Sequence, residues 1–134
     1  MLTIEYFSHL PAFSMSGHAK EAPRGADIVC AGASALLYTL IKYLDKLEDE
    51  FEPEVFEYNG RINICLDPPV SLMHDARLLF EAFATGFEML SKDYPNNVKY
   101  IKDPPFSHCE KRNDKAIRTL KKENIIWMKL LKKP

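Results

Sequence analysis

The chain has 134 residues, 46% of them apolar and 28% charged, with a formal net charge of −1, which suits one domain with a real core and excludes a disordered, collagen-like or disulfide-stapled chain. No apolar run looks long enough to span a bilayer, and MLTIEYFSHL lacks the basic segment and apolar core of a leader, so we expect no membrane contact and a cytoplasmic location. The near-neutral total hides an asymmetry: residues 1–110 hold 9 Lys and Arg against 17 Asp and Glu, and residues 111–134 hold 9 against 2, so an acidic body carries a basic tail.

In chain order, Leu2–Phe7 alternates Leu2, Ile4 and Tyr6 against Thr3, Glu5 and Phe7, the pattern of a half-buried strand. Ser8 to Pro11 is a turn, and Ala12–Ser16 is a second strand, antiparallel to the first because the connection is so short. Pro23, Gly25 and flanking charges make 20–26 a loop. Asp27 is a good N-cap for a helix running to about Asp49, with Leu36, Leu40, Tyr43, Leu44 and Leu47 as its apolar stripe. Ala31, Gly32, Ala33 and Ala35 keep its first turns thin, so that another backbone can approach there. The acidic run from Asp45 to Glu54 opposes the dipole at a helix C-terminus and predicts fraying.

Glu54–Tyr58 and Arg61–Leu66 flank Asn59-Gly60, a strong hairpin signal. Pro68-Pro69 ends the second of these strands. Ser71 is a candidate cap for a helix to about Ser91, in which Met73, Ala76, Phe80, Phe83, Phe87 and Leu90 recur at core spacing. Val98 to Ile101 is a last short strand. Asp103-Pro104-Pro105 marks a boundary. Beyond it, Asn113 caps a basic helix with Ile117, Leu120, Trp127, Met128 and Leu131 on one stripe. That stripe and the need to bury Trp127 favour docking on the body, although the same charge suits RNA. The fold expected is α+β: a two-layer domain over 1–103, its antiparallel-rich sheet packed by two main helices, with 104–134 as a basic helical extension.

One stretch bears chemistry. His18 leaves a strand and Cys30 enters a helix twelve residues later. The nucleophile in cysteine chemistry is the thiolate. With Asp27 as cap, Cys30 falls at the third helical position, where unpaired N–H groups and the dipole favour negative charge and could hold an oxyanion. A nearby histidine takes and returns the proton. Ser34, one turn on, shares the Cys30 face, and Asp27 could orient His18. Spacing alone does not separate this pair from a small buried cysteine and a hydrogen-bonded histidine. Cys30, Cys65 and Cys109 show no metal-ligand spacing and are expected as free thiols, Cys65 in the core and Cys109 idle beside His108. His9 and His74 have no motif around them.

Gly17-His18-Ala19, Gly25 and Asp27-Ile28-Val29-Cys30-Ala31 with Ser34-Ala35-Leu36 resemble the ribosomal-processing cysteine protease family (YsxB-like, Prp), whose signature is a GHA motif followed by a DIVCAAVSAL-like helix start. The resemblance implies Cys30 as nucleophile, His18 as base, and Asp27, Ser34 and Gly17 in supporting positions. It also implies a peptidase without cofactor or metal, typically a homodimer. The substrate would be the N-terminal extension of a large-subunit ribosomal protein, or a phage scaffold or capsid protein, held extended near the 20–26 loop. The basic tail lies outside the family pattern. The rival expectation is a non-catalytic ribosome- or RNA-associated module of the same fold.

Overall fold

The alternating Leu2, Ile4, Tyr6 and Phe13, Met15 positions lie on two antiparallel strands, β1 (Leu2–Phe7) and β2 (Ala12–Ser16), paired from Thr3 with Ser16 to Phe7 with Ala12. The structure is a computed structural model, and it describes residues 1–17, 24–58 and 60–105, with only the backbone of 24–27 and 58. Helix α1 (Arg24–Lys46) and a short α2 (Glu48–Phe51) lead into the hairpin β3 (Glu54–Tyr58) and β4 (Arg61–Cys65). Helix α3 (Val70–Asp93) and strand β5 (Val98–Lys102) come next.

The sheet runs β3-β4-β2-β1-β5. Three of its four pairings are antiparallel, and β5 adds to β1 in parallel. This is the α+β architecture expected. Tyr58 pairs with Arg61 at the end of this hairpin, and Gly60 takes the positive φ of 70° that a tight turn demands.

Period-two alternation puts Leu2, Ile4, Tyr6, Phe13, Met15, Val55, Ile64 and Val98 on one face of the sheet. They form one buried core with Val29, Ala33, Leu37, Leu40 and Leu44 of α1 and Ala76, Phe80, Ala84 and Phe87 of α3. Phe13 stands at its centre. It stacks on Tyr6 at 5.0 Å and Phe80 at 5.2 Å between ring centroids, and meets the edge of Phe87 at 5.1 Å. Such pairs add about 0.5–1.5 kcal/mol each beyond area burial.

Several expectations needed correction. Helix α1 starts at Arg24, inside the expected 20–26 loop and three residues before Asp27. Arg24 and Ala26 are good helix formers and only Gly25 costs about 1 kcal/mol, so propagation past Asp27 is easy. The acidic run does not fray. Lys46 closes α1, the Leu47 N–H folds back onto the Leu44 carbonyl at 3.0 Å, and Glu48, Asp49 and Glu50 fill the first turn of α2. Charges wrong for the end of one helix are right for the start of the next. Ser71 is the second residue of α3, capped by Pro69 without a side-chain hydrogen bond.

Tyr43 is exposed, and Val29, Leu37 and Ile41 take its place in the buried stripe. Of Gly32 on α1 and Gly86 on α3, both of which face the other helix, Gly86 is the more crowded. A Cβ at Gly86 would lie 3.1 Å from Leu36 Cδ1, whereas one at Gly32 would make ordinary contact with Leu90. Contrary to expectation, Ile28–Lys46 is long and apolar enough by composition to cross a membrane, with a mean hydropathy of 1.4. Here its apolar side packs against α3 and the sheet. The expected third helix, with Cys109 and the basic stripe, lies outside the described residues.

Candidate active site

The site begins where β2 stops. Gly17 has φ 105°, and a Cβ there would fall 2.1 Å from the Met1 carbonyl oxygen and 3.1 Å from Leu2 Cα. Backbone closes that space, so only glycine ends this strand beside the N-terminus. Residues 18–23 then connect to α1, and His18 and residues 20–23 of the expected loop lie outside the described residues.

On α1, Val29 and Ala33 point into the core and Ile28 and Ala31 face outward. That rotation leaves Cys30 and Ser34 half-buried, one turn apart on the same side of the helix. Cys30 is the free cysteine among the described residues. Its thiol is therefore held on rigid helix beside the core yet within reach of solvent. Cys65 is buried in β4 as expected, but it is disulfide-bonded, so the expectation of three free thiols fails there.

The earlier start of α1 changes the electrostatics. Cys30 is the seventh helical residue, and its N–H belongs to the internal ladder. The unpaired N–H groups are those of the first four residues, Arg24 to Asp27. The expected oxyanion pocket of free N–H groups around Cys30 is therefore not formed by that turn. Asp27 is the fourth helical residue, not the cap, and its side chain lies outside the described residues.

Groups that alternation alone does not reveal brace the sheet and join it to α3. The Tyr6 hydroxyl donates to Glu81 Oε1 of α3 at 2.9 Å. Burial first, then this bond and the Glu81 charge, push the Tyr6 phenol far above its ordinary value. Tyr100 of β5 is pushed up to about 12, by burial and then by the charges of Glu88, Glu81 and Asp103. Ser8 donates its N–H and Oγ–H to Asp103 at 2.8 and 2.7 Å. Burial pushes the Asp103 carboxyl up, but these bonds, with His9 and Lys102 nearby, outweigh it and hold the group below its ordinary value. Arg61 of β4 pairs with Glu5 of β1 across β2.

An open groove of about 470 Å³ lies along α1, lined by Ala35, Tyr38, Thr39, Lys42, Tyr43 and Lys46, and does not include Cys30. No cluster of three or more His, Cys, Asp or Glu suited to a metal occurs among the described residues.

Residues 1–99 match the family model described as cysteine protease Prp. A ribosomal processing cysteine protease Prp of Bacillus subtilis is 32% identical over 94 residues, 66% of this chain and 81% of that protein. A protein of the same description from Staphylococcus aureus is 27% identical over 85 residues, 63% of this chain and 79% of that one. Among solved structures, the S. aureus ribosomal processing protease Prp with a substrate peptide superposes with a TM-score of 0.63 at 22% identity, covering 77% of this chain and 100% of that one. SMU.848 of Streptococcus mutans gives a TM-score of 0.53 at 28% identity, over 76% of this chain and 93% of its own.

Proposed function

Because the chain belongs to the cysteine protease Prp family, we propose that it cleaves one peptide bond near the N-terminus of a large-subunit ribosomal protein, with Cys30 as nucleophile and His18 as base. The observation that carries this reading is the free, half-buried Cys30 on the second turn of α1, with Ser34 beside it, downstream of a strand that only Gly17 can end. The helix holds Cys30 in place, so that side chain has little freedom to lose when substrate binds.

In this mechanism His18 accepts the Cys30 proton and the thiolate attacks the scissile carbonyl carbon. The tetrahedral intermediate collapses by expelling the amine of the downstream product, which takes the proton back from His18. Water, deprotonated by His18, then hydrolyses the thioester, releasing the N-terminal fragment as an acid and restoring the thiol. Asp27 orients His18. Ser34 supplies an O–H donor on the nucleophile's face, where the Cys30 N–H is already committed to the helix. The enzyme works in the cytoplasm as a homodimer and needs no cofactor.

The acidic body favours a basic substrate segment through its field. Ribosomal precursors fit that description, which places them ahead of phage scaffold or capsid proteins as substrate. Incubation with both precursor classes, followed by mass mapping of new N-termini, tests the assignment. Cleavage of the ribosomal precursor by wild type and none by Cys30→Ala is expected. No new N-terminus from either class, in a protein whose Cys30 alkylates no faster than a thiol in the unfolded chain, would leave the non-catalytic binding module in its place.

A further inference from the structure

Part of the sheet face turned away from both helices is buried. Phe7, Ala12 and Cys65 lie in one register row, and they are 8%, 1% and 2% exposed. Phe56, in the adjoining row on β3, is 6% exposed. These four form a cluster of their own, separate from the core that holds the buried residues of α1 and α3. Neighbouring strand side chains do not bury two phenylalanines to this degree on an open face, so a further layer covers them.

Two stretches of chain are available to supply it. Residues 18–23, HAKEAP, contain no large apolar side chain and begin at the opposite end of β2 from Ala12. The C-terminal segment 106–134 leaves from the right place. Asp103 donates its N–H to the Tyr6 carbonyl at 2.7 Å and accepts from Ser8, so the chain departs beside Phe7 at the end of the sheet where the cluster sits. A helix over 113–131 would be about 28 Å long at 1.5 Å per residue, enough to cross a sheet of five strands spaced about 4.8 Å apart. Its stripe of Ile117, Leu120, Trp127, Met128 and Leu131 supplies the apolar partner, and its net positive charge is attracted to an acidic body. Cys65, on the covered face, is disulfide-bonded while Cys30 is free, and the remaining cysteine in the sequence is Cys109, at the head of this segment.

We propose that residues 106–134 dock in cis on the outer face of the sheet, over Phe7, Ala12, Phe56 and Cys65, as a third layer added to the two-layer family domain. The matched family region ends at residue 99, before this segment begins. The apolar stripe is thereby buried on the body, and only the opposite, basic side faces outward.

Trp127 is the sole tryptophan and reports on the full-length chain directly. Its emission should be blue-shifted and shielded from acrylamide, unchanged across a hundredfold dilution. Phe56→Asp on the sheet and Leu120→Asp on the segment should each red-shift it and raise quenching several-fold. Val70→Asp, on exposed α3, should change neither. Leu120→Asp lies outside the family domain, so its effect does not depend on Phe56→Asp folding. Treatment with glutathione disulfide, reduced to two glutathiones as it takes both thiol protons and electrons, should link reduced Cys65 to Cys109 within one chain. Solvent-like Trp127 emission in the wild type would overturn the proposal. So would shielding lost on dilution, which assigns the face to a second copy, or a Trp127 signal indifferent to both Asp substitutions.

Discussion

Replacing glycines by alanine at three positions separates backbone strain from steric closure. At Gly60, φ is 70° and nothing lies within 4 Å of a new Cβ, so Gly60→Ala incurs only the left-handed penalty of about 1–2 kcal/mol. At Gly86 the new methyl meets the tip of Leu36 at 3.1 Å, a side chain that can yield. A helix-propensity gain of about 1 kcal/mol offsets that displacement, so Gly86→Ala should be nearly neutral. At Gly17 two costs add. The φ of 105° is strained by about 1–3 kcal/mol for alanine. The Cβ also falls 2.1 Å from the Met1 carbonyl oxygen, which must move with the first strand, and such a backbone shift costs about 1–3 kcal/mol more. Gly17→Ala should therefore lose about 2–6 kcal/mol, a large fraction of a typical 5–15 kcal/mol, and should lose cleavage as residue 18 shifts. Urea unfolding followed by circular dichroism ranks the three. A loss at Gly17 within about 1 kcal/mol of that at Gly60 would refute the claim that the N-terminal backbone closes the space a side chain at residue 17 would need.

The remaining predictions concern core and charge. Phe80→Ala removes a ring stacked at 5.2 Å on Phe13 and should destabilise by about 3–5 kcal/mol in the same urea assay. Tyr6 and Tyr100 are raised above the unfolded value of about 10, so the neutral phenols' contribution to stability is complete below that pH and is lost as pH rises through the folded values. Ultraviolet titration should find both un-ionised at pH values where unfolded tyrosines have titrated. Asp103 is lowered, so its contribution is present above the unfolded value of about 3.9 and is lost as pH falls through the folded one. The stability difference between wild type and Asp103→Asn should accordingly shrink in acid, and a difference that grew would contradict the sign.

Much of the fold was legible because period-two alternation and one Asn-Gly pair depend on local chemistry. Both hairpins and all five strands derive from them. The parallel pairing of β5 with β1 was not legible, because a 24-residue helix separates that strand from the antiparallel hairpins and local pattern carries no partner. The start of α1 was misplaced because a capping residue inside a run of helix formers does not stop propagation. That shift of four positions moved Cys30 from the first turn to the second and removed its free N–H donors. The Cys30–Ser34 face survived the shift, since spacing along a helix does not depend on where the helix begins. The Glu5–Arg61 and Tyr6–Glu81 pairs join residues 56 and 75 positions apart, and no window of sequence shows them.

A covalent intermediate on Cys30 tests the central claim most directly. Protein mixed with an N-terminal ribosomal-precursor peptide, acid-quenched within one turnover and mapped by mass spectrometry, should carry the upstream fragment as a thioester on the peptide containing Cys30. His18→Ala should abolish that adduct, and Cys30→Ala should leave both substrate and protein unmodified. Cleavage that proceeds without the adduct and persists in Cys30→Ala would contradict the account.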